Sequence, residues 1–473
     1  MITLGVVFEA LIGNSPEWAN HIIADVGIDS RTMIPGSMFV AIPGESVDGH
    51  DYLEDAFSHG ASFALIEHPV STDFRVLDLR PGSDQDFNLE VDVPFCLLVE
   101  NSIEALQIVA GVWRKRLNIR VIGITGSVGK STTKELTTTV LKQRFRTLKN
   151  PGNLNNEIGL PMTLWRLSEG HERAVLEMGF YMPGEIMFLC DLAEPVVGVL
   201  TNIGTVHAER AGSQDEIARG KAELIQALPS APDGVAILNY DDELVRAMAD
   251  QTDARIFFYG LSPAADLWAD QVEGLGLEGI KFRLHYKNET IHLKVPLIGR
   301  HSVHTVLRAA AVGIIEGLSW EEIIRGLRFG HTQLRLVAVK AACGAMILDD
   351  TYNASPKSTL AGLNLLEEME GRKVAVLGDM LELGRYETQG HQKVGIRAAE
   401  VVDVLVTVGQ LAEIIAKSAA DAGFQKENIY SFADSAGAVK FLEQNLTGND
   451  MVLVKGSRGM RMDKIVASLE VES

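Results

Sequence analysis

Cysteine is nearly missing from this chain, with three in 473 residues, and Cys96, Cys190 and Cys343 stand far apart. That excludes a disulfide framework and a clustered thiolate metal site, and it points to reduced thiols in the cytoplasm. No uncharged apolar run is long enough to cross a bilayer, so membrane insertion is not expected. The first residues, MITLGVVFEALIGNSPEW, lack a basic segment and carry Glu9 inside their apolar part, which makes a poor secretion signal. Basic residues are outnumbered, 43 Lys and Arg against 63 Asp and Glu, leaving a net charge of −20. This balance argues against nucleic acid and anionic membranes as partners. An anionic ligand must therefore find a local cluster of cations. Repeats and low-complexity tracts are absent too.

What is present describes a soluble globular chain, 46% hydrophobic and 22% charged, and too long for one core. The expectation is an α/β protein of several domains.

The stretch RVIGITGSVGKSTTKE, Arg120 to Glu135, organises the rest. Val121 to Ile124 reads as a buried strand, Thr125-Gly126-Ser127-Val128-Gly129 as a turn, and Lys130, Ser131 and Thr132 as the start of a helix. Glycines let successive backbone N–H groups face an anion, and the helix N-terminus adds positive potential. Lys130 can reach the outer phosphates of a nucleotide, and the Ser131 hydroxyl can sit on Mg²⁺. The first glycine of the usual phosphate loop is lacking, since Ile124 holds its place, and what remains is T-G-x-x-G-K-[ST]-T. The alternative is a tight turn with a surface lysine.

Along the chain, apolar runs end repeatedly in polar residues. Ala174 to Leu176 ends at Glu177; Val196 to Leu200 ends at Thr201 and Asn202, with His207 close behind; Val235 to Leu238 ends at Asn239. Ligands bind beyond the carboxyl ends of strands in open parallel sheets, so a site is expected there. Glu177 and His207 suit Mg²⁺ or Mn²⁺ beside a nucleotide, although a lone strand-end Glu is more often solvated. Asn153, Asn155 and Asn156 make either a ligand-binding loop or ordinary turn caps. Lys221, on a helical run from Glu209 to Leu228, reads as a surface lysine. Arg300, after the strand-like Ile291 to Ile298, either meets phosphate or is solvated. Further runs end at Asp349-Asp350, at Gly378-Asp379, at Gly409 and at Lys455, the alternation of a parallel α/β domain.

Together these stretches resemble the Mur ligase family. The resemblance rests on DSRTMIPGSMFVAIPGESVDGHD (29–51), TGSVGKSTTKE (125–135), NPGNLNNEIGLPMTL (150–164), EMG (177–179), TNIGTVH (201–207), DDTYNASP (349–356), LGDMLELG (377–384) with His391, and KGSR (455–458). It implies a three-domain ATP-dependent amide ligase: a small N-terminal α/β domain over 1–99 for the UDP end of the substrate, a central mostly parallel P-loop-type sheet with helices on both faces over 100–330 for ATP, and a Rossmann-like domain over 331–473 for the amino substrate. Within the family the likeness is to the branch that uses UDP-muramoyl-tripeptide and D-alanyl-D-alanine. The implied ATP contacts are Thr125 to Thr132, Asn239, Arg335 and Asp350. Ser30, Arg31, Asn155, Asn156 and Thr201 are implied at the UDP substrate. Asn353, Leu383, Lys455 and Arg458 are implied at the amino substrate. Lys130, Glu177, His207 and Lys221 are implied as catalytic. Ser131, Glu177, His207 and Lys221 are implied as ligands of two Mg²⁺ ions, with Lys221 as a carbamate, and the protein is expected to be a monomer.

The chain departs from the family pattern in places. Ser302 and Thr305 replace both asparagines of G-x-H-N-x-x-N, Ser355 the second of Y-N-A-N-P, Leu334 the glycine before Arg335, and Asp463 the Glu after K-G-S-R. The D-N-P-R motif of relatives that add a diamino acid is absent. The remaining alternatives are a related ligase with another amino substrate, and a nucleotide-binding protein without ligase chemistry. Lys130, Glu177, His207 and Lys221 speak against the last, since scaffolding needs none of them.

Overall fold

Short apolar runs bounded by glycine, proline and charge become strands. The chain's structure, a computed structural model, describes residues 1–44, 47–70, 73–83, 85, 87, 91–329 and 337–470. Arg335 and Leu334 lie outside the described residues. The chain divides into two units, one of Met1–Gly123, Phe145–Gly179 and Gly184–Val197, the other of Ile124–Arg144, Phe180–Pro183 and Gly198–Ser473.

The first unit holds a five-stranded sheet in the spatial order Val26–Gly27, Ser37–Val40, Ala61–Ile66, Phe95–Leu98, Arg75–Asp78. All its pairs are parallel. Ser37–Val40 and Phe95–Leu98 are buried at every position, as strands covered on both faces must be. Helix Ser102–Lys115 follows this sheet, and the Asn101 side chain caps its start by accepting from the Glu104 N–H. Trp113 and Trp165 are buried with their indole N–H groups satisfied, donating to the carbonyls of Leu167 and Leu106. Thr147–Lys149 and Arg173–Glu177 also pair in parallel here.

In the second unit, Val235–Asn239 and Arg255–Gly260 run parallel, and Arg255–Gly260 pairs with Leu267–Gly274 in the same sense. The chain then turns back twice through Ile280–Tyr286 and Glu289–Val295, both antiparallel. The strand expected over 291–298 is thus the last of an antiparallel ribbon, ending before Pro296. Alternation of buried and less buried positions along Ile280–Tyr286 marks a sheet with one wet face.

A second sheet of this unit has the order Val337–Lys340, Met346–Asp350, Asp450–Lys455, Arg372–Gly378, Val404–Val408, Ile429–Phe432, parallel except at its first strand. Ala375, Leu377, Leu405 and Leu453 belong to one core cluster, Val374, Val376, Val406 and Val452 to another. Strict alternation puts one cluster on each face, so helices cover both. These are the mostly parallel, helix-flanked sheets that the sequence pattern predicts.

Helix Lys130–Leu141 packs on Val303–Ile315 and Trp320–Phe329. Gly326 permits this approach: a Cβ there would lie 2.5 Å from Val140 Cα. No helix among the described residues is long and apolar enough to cross a membrane.

Candidate active site

Strand Arg120–Thr125 ends in the glycine loop, and helix Lys130–Leu141 begins directly after it. Gly126 and Gly129 hold φ of 141° and 86°. A Cβ on Gly126 would come within 1.9 Å of Thr201 Oγ1, so only glycine fits. Asn202 clamps the loop from the neighbouring strand end: its carbonyl accepts from Ser127 N at 2.9 Å, its Oδ1 from Val128 N at 3.2 Å, and its Nδ2 donates to the Val128 carbonyl at 2.9 Å. Gly204 N donates to Ser127 Oγ at 2.8 Å. Lys130 Nζ folds back over the loop and donates to the Gly126 carbonyl at 2.7 Å.

A cavity of about 470 Å³ opens beside this loop, walled by Gly129, Ser131, Thr132, Asn239, His301 and Lys455 among others. Cavities of roughly 300–1,000 Å³ take ligands of nucleotide size. Asn239 is buried and braced at both ends, donating to the Thr201 carbonyl at 2.9 Å and accepting from Asp241 N at 3.1 Å. Thr201 Oγ1 is buried and has no hydrogen-bond partner among the described residues.

His207 directly precedes the short helix Ala208–Ala211, and its side chain makes no capping bond there. Its Nδ1 meets Glu382 Oε2 at 2.7 Å, and the Tyr181 ring stands edge-on at 5.0 Å. Burial and the nearby Lys130 charge, opposed by Glu382, bring the imidazole down to about 4. It is therefore neutral near pH 7. With Nδ1–H given to the carboxylate, Nε2 keeps its lone pair, which is the state a metal ligand needs. Lys221 is buried on helix Gln214–Gln226, not on the surface, and its ammonium lies 4.5 Å from the Phe180 ring centroid. Neutral imidazole, the Ser131 hydroxyl and a polar loop are oxygen and nitrogen donors compatible with Mg²⁺.

In the first unit, Glu177 is buried at the end of its strand. Asn155 Nδ2 donates to Glu177 Oε1 at 2.9 Å, while Asn150 bonds both the N–H and the carbonyl of Glu177. Asn156 does what a turn cap does, accepting from Gly159 N at 2.9 Å. Ser30 is buried, and Arg31 is largely exposed with its guanidinium on Asp29 at 2.7 and 2.9 Å. Those bonds hold the Asp29 carboxyl at about 2.

Lys455 Nζ donates to Asp350 Oδ2 at 2.6 Å and to the Asn353 carbonyl at 2.8 Å, so three expected contact residues bind one another. Arg458 is exposed beyond them, 5.9 Å from the Tyr352 ring. Arg300 turns to Glu368, Nε to Oε1 at 3.1 Å, and does not line the cavity. The Leu383 side chain is fully buried in core. His391 is buried as well, accepting from Met380 N at 3.0 Å, and so fixes the LGDMLELG turn. Asn202 stands in the sequence as a strand-end polar residue with nothing to mark it as the clamp of the loop, and Glu382 stands inside LGDMLELG with nothing to mark it as the partner of His207.

Comparison with known proteins follows the same lines. Three family models match: "Mur ligase family, catalytic domain" over residues 22–110, "Mur ligase middle domain" over 124–313, and "Mur ligase, glutamate ligase domain" over 334–458. The UDP-N-acetylmuramoyl-tripeptide–D-alanyl-D-alanine ligase of Bacillus subtilis (strain 168) is 34% identical over 460 residues, covering 96% of this chain and 95% of that protein. A crystal structure of MurF from Acinetobacter baumannii superimposes with a TM-score of 0.83 at 29% identity, covering 99% of each chain. The MurF ligase of Thermotoga maritima, in complex with ADP, does so with 0.76 at 27% identity, covering 94% of this chain and 96% of that one.

Proposed function

The chain belongs to the Mur ligase family, and we propose from that premise that it joins D-alanyl-D-alanine to UDP-N-acetylmuramoyl-tripeptide at the cost of ATP, a step in making peptidoglycan precursors. The reading is carried by one observation: the TGSVGKST loop, closed by Asn202, borders a nucleotide-sized cavity in a chain similar over its full length to enzymes of that name.

A carboxylate does not condense with an amine at neutral pH. It is first phosphorylated by ATP to an acyl phosphate; the amine then attacks the carbonyl carbon, phosphate leaves, and ADP is released. Bringing the γ-phosphoryl group to a carboxylate brings two anions together, so positive charge must offset their repulsion. Lys130 supplies it at the loop, and the N–H groups at the start of helix Lys130–Leu141 orient the phosphate chain. Mg²⁺ adds Lewis-acid charge on phosphate oxygens when bound. Two ions are proposed, Ser131 a ligand of the first and His207 with Lys221 ligands of the second, while Glu177 is proposed as a metal ligand on the chemistry of its carboxylate alone. Lys221 would serve as a carbamate, which turns a buried ammonium into an anionic oxygen donor.

The amino substrate is placed in the domain after residue 331, with Arg458 as anchor for the dipeptide carboxylate. Lys455, engaged by Asp350, orders the loop of Asn353. The UDP end is placed in the domain before residue 99, near Ser30 and Arg31. The substrates are cytoplasmic small molecules, and the proposed working form is a monomer. Incubation of the UDP-tripeptide with ATP, Mg²⁺ and hydroxylamine, without dipeptide, tests the reaction class. A hydroxamate of the peptide carboxyl is expected; ATP consumption that yields none contradicts an acyl phosphate.

A further inference from the structure

Arg308, on helix Val303–Ile315, is 3% exposed. Its Nε donates to Thr133 Oγ1 at 2.8 Å, Nη1 to the Tyr259 hydroxyl at 3.2 Å, and Nη2 to Thr305 Oγ1 at 2.8 Å. Every partner is a neutral hydroxyl, and among the described residues no carboxylate pairs with this guanidinium. A buried cation is normally neutralised by an ion pair, because desolvation is costly without one. Here the hydroxyl cage fixes the guanidinium in place and leaves its charge intact.

That charge is aimed at the glycine loop. A Cβ built on Gly129 would stand 3.1 Å from Arg308 Nη2. Thr133, which receives Nε, passes the connection on by donating its own hydroxyl to the Gly129 carbonyl at 2.6 Å. Arg308 also borders the cavity together with Ser131 and Thr132. The missing counter-charge is therefore one that the cavity's occupant can bring.

We propose that Arg308 is a positioning residue of the nucleotide site: it locks the Gly129–Thr133 turn and lends its charge to a polyphosphate chain. Thr305, one leg of the cage, is where this chain departs from the family's G-x-H-N-x-x-N. The departure and the arginine thus belong to one device. The inference rests on the nucleotide reading above and specifies how the phosphate end is held.

The test compares binding of adenosine, ADP and ATP, each with Mg²⁺, to the wild-type chain, Arg308→Gln and Arg308→Lys. Arg308→Gln keeps amide donors for the hydroxyls and removes the charge. It should weaken ADP about tenfold and ATP more, with adenosine unchanged, because only the phosphates feel the charge. Arg308→Lys should recover most of the ATP affinity. Equal losses for adenosine and ATP, or no loss for ATP, overturn the proposal. If Arg308→Gln does not fold, Arg308→Lys carries the test: ATP affinity within about threefold of wild type supports it, and a larger loss shared by adenosine contradicts it. Failure of the wild-type chain to bind ADP or ATP would sink the nucleotide reading itself, a separate outcome.

Discussion

His207 and Glu382 meet at 2.7 Å, Nδ1 to Oε2, and both hold left-handed backbone, with φ of 68° and 63°. Non-glycine residues in that region cost roughly 1–3 kcal/mol each and persist where surrounding structure over-determines them. The contact joins the loop after strand Val197–Leu200 to the turn after strand Arg372–Gly378. Glu382 fixes the imidazole tautomer, so that Nε2 points its lone pair away from the carboxylate.

Glu382→Gln should therefore raise the Mg²⁺ concentration needed for half-maximal phosphate release, by about 10- to 100-fold. The amide can still touch Nδ1, but it offers no negative charge and can favour the wrong tautomer. A Mg²⁺ titration checks this, and an unchanged midpoint would separate Glu382 from metal binding.

Gly126→Ala should abolish ATP turnover. Its Cβ would overlap Thr201 Oγ1 at 1.9 Å, and its φ of 141° disfavours any side chain. Gly170→Ala, whose Cβ would meet only Ser168 Oγ at 3.4 Å, is the matched control and should retain activity. Phosphate release by the two variants, after circular dichroism shows both folded, decides it.

Lys221→Ala should be inactive and regain part of its activity with millimolar acetate or formate, whose oxygens can stand in for a carbamate. The lysine is buried against Phe180, so truncation also leaves a void that a small acid can enter. Full activity without additive would end the carbamate proposal.

Of the cysteines, Cys343 is exposed while Cys96 and Cys190 are buried. Burial pushes the Cys96 thiol up to about 12, so no thiolate forms there near neutrality. A thiol reagent should label one cysteine in the native protein at pH 8 and three after denaturation. Labelling of two or more without unfolding would contradict the packing of these cores.

The glycine loop between strand Arg120–Thr125 and helix Lys130–Leu141 was legible because such a turn demands a particular local sequence. Strand, glycines and lysine are adjacent in the chain, so pattern alone placed Lys130 and Ser131. Strand ends were legible too, since fully buried parallel strands read as apolar runs. What stayed hidden depends on long-range pairing. Lys455 reads as a strand-end cation implied at the amino substrate, and the sequence does not show that Asp350, 105 residues away, holds it. Arg300 reads either as a phosphate contact or as a solvated arginine until Glu368 takes it, and Lys221 as a surface residue until Phe180 covers it. Arg308 sits in a helical apolar run just beyond the altered G-x-H-N-x-x-N stretch and belongs to none of its positions, and only the facing Thr133 and Tyr259 reveal its purpose. The antiparallel ribbon of Leu267–Val295 carried mixed polar and apolar residues on its wet face, which blurred the strand signal.

The most direct measurement is phosphate release by the wild-type enzyme with UDP-N-acetylmuramoyl-tripeptide, ATP and Mg²⁺, with each amino component supplied in turn. A free diamino acid brings an extra ammonium and carboxylate that would go unpaired, a heavier penalty than a missing methyl group. Release should depend on D-alanyl-D-alanine and stay at background with free meso-diaminopimelate or lysine. Faster release with either free diamino acid than with the dipeptide would contradict the proposed reaction.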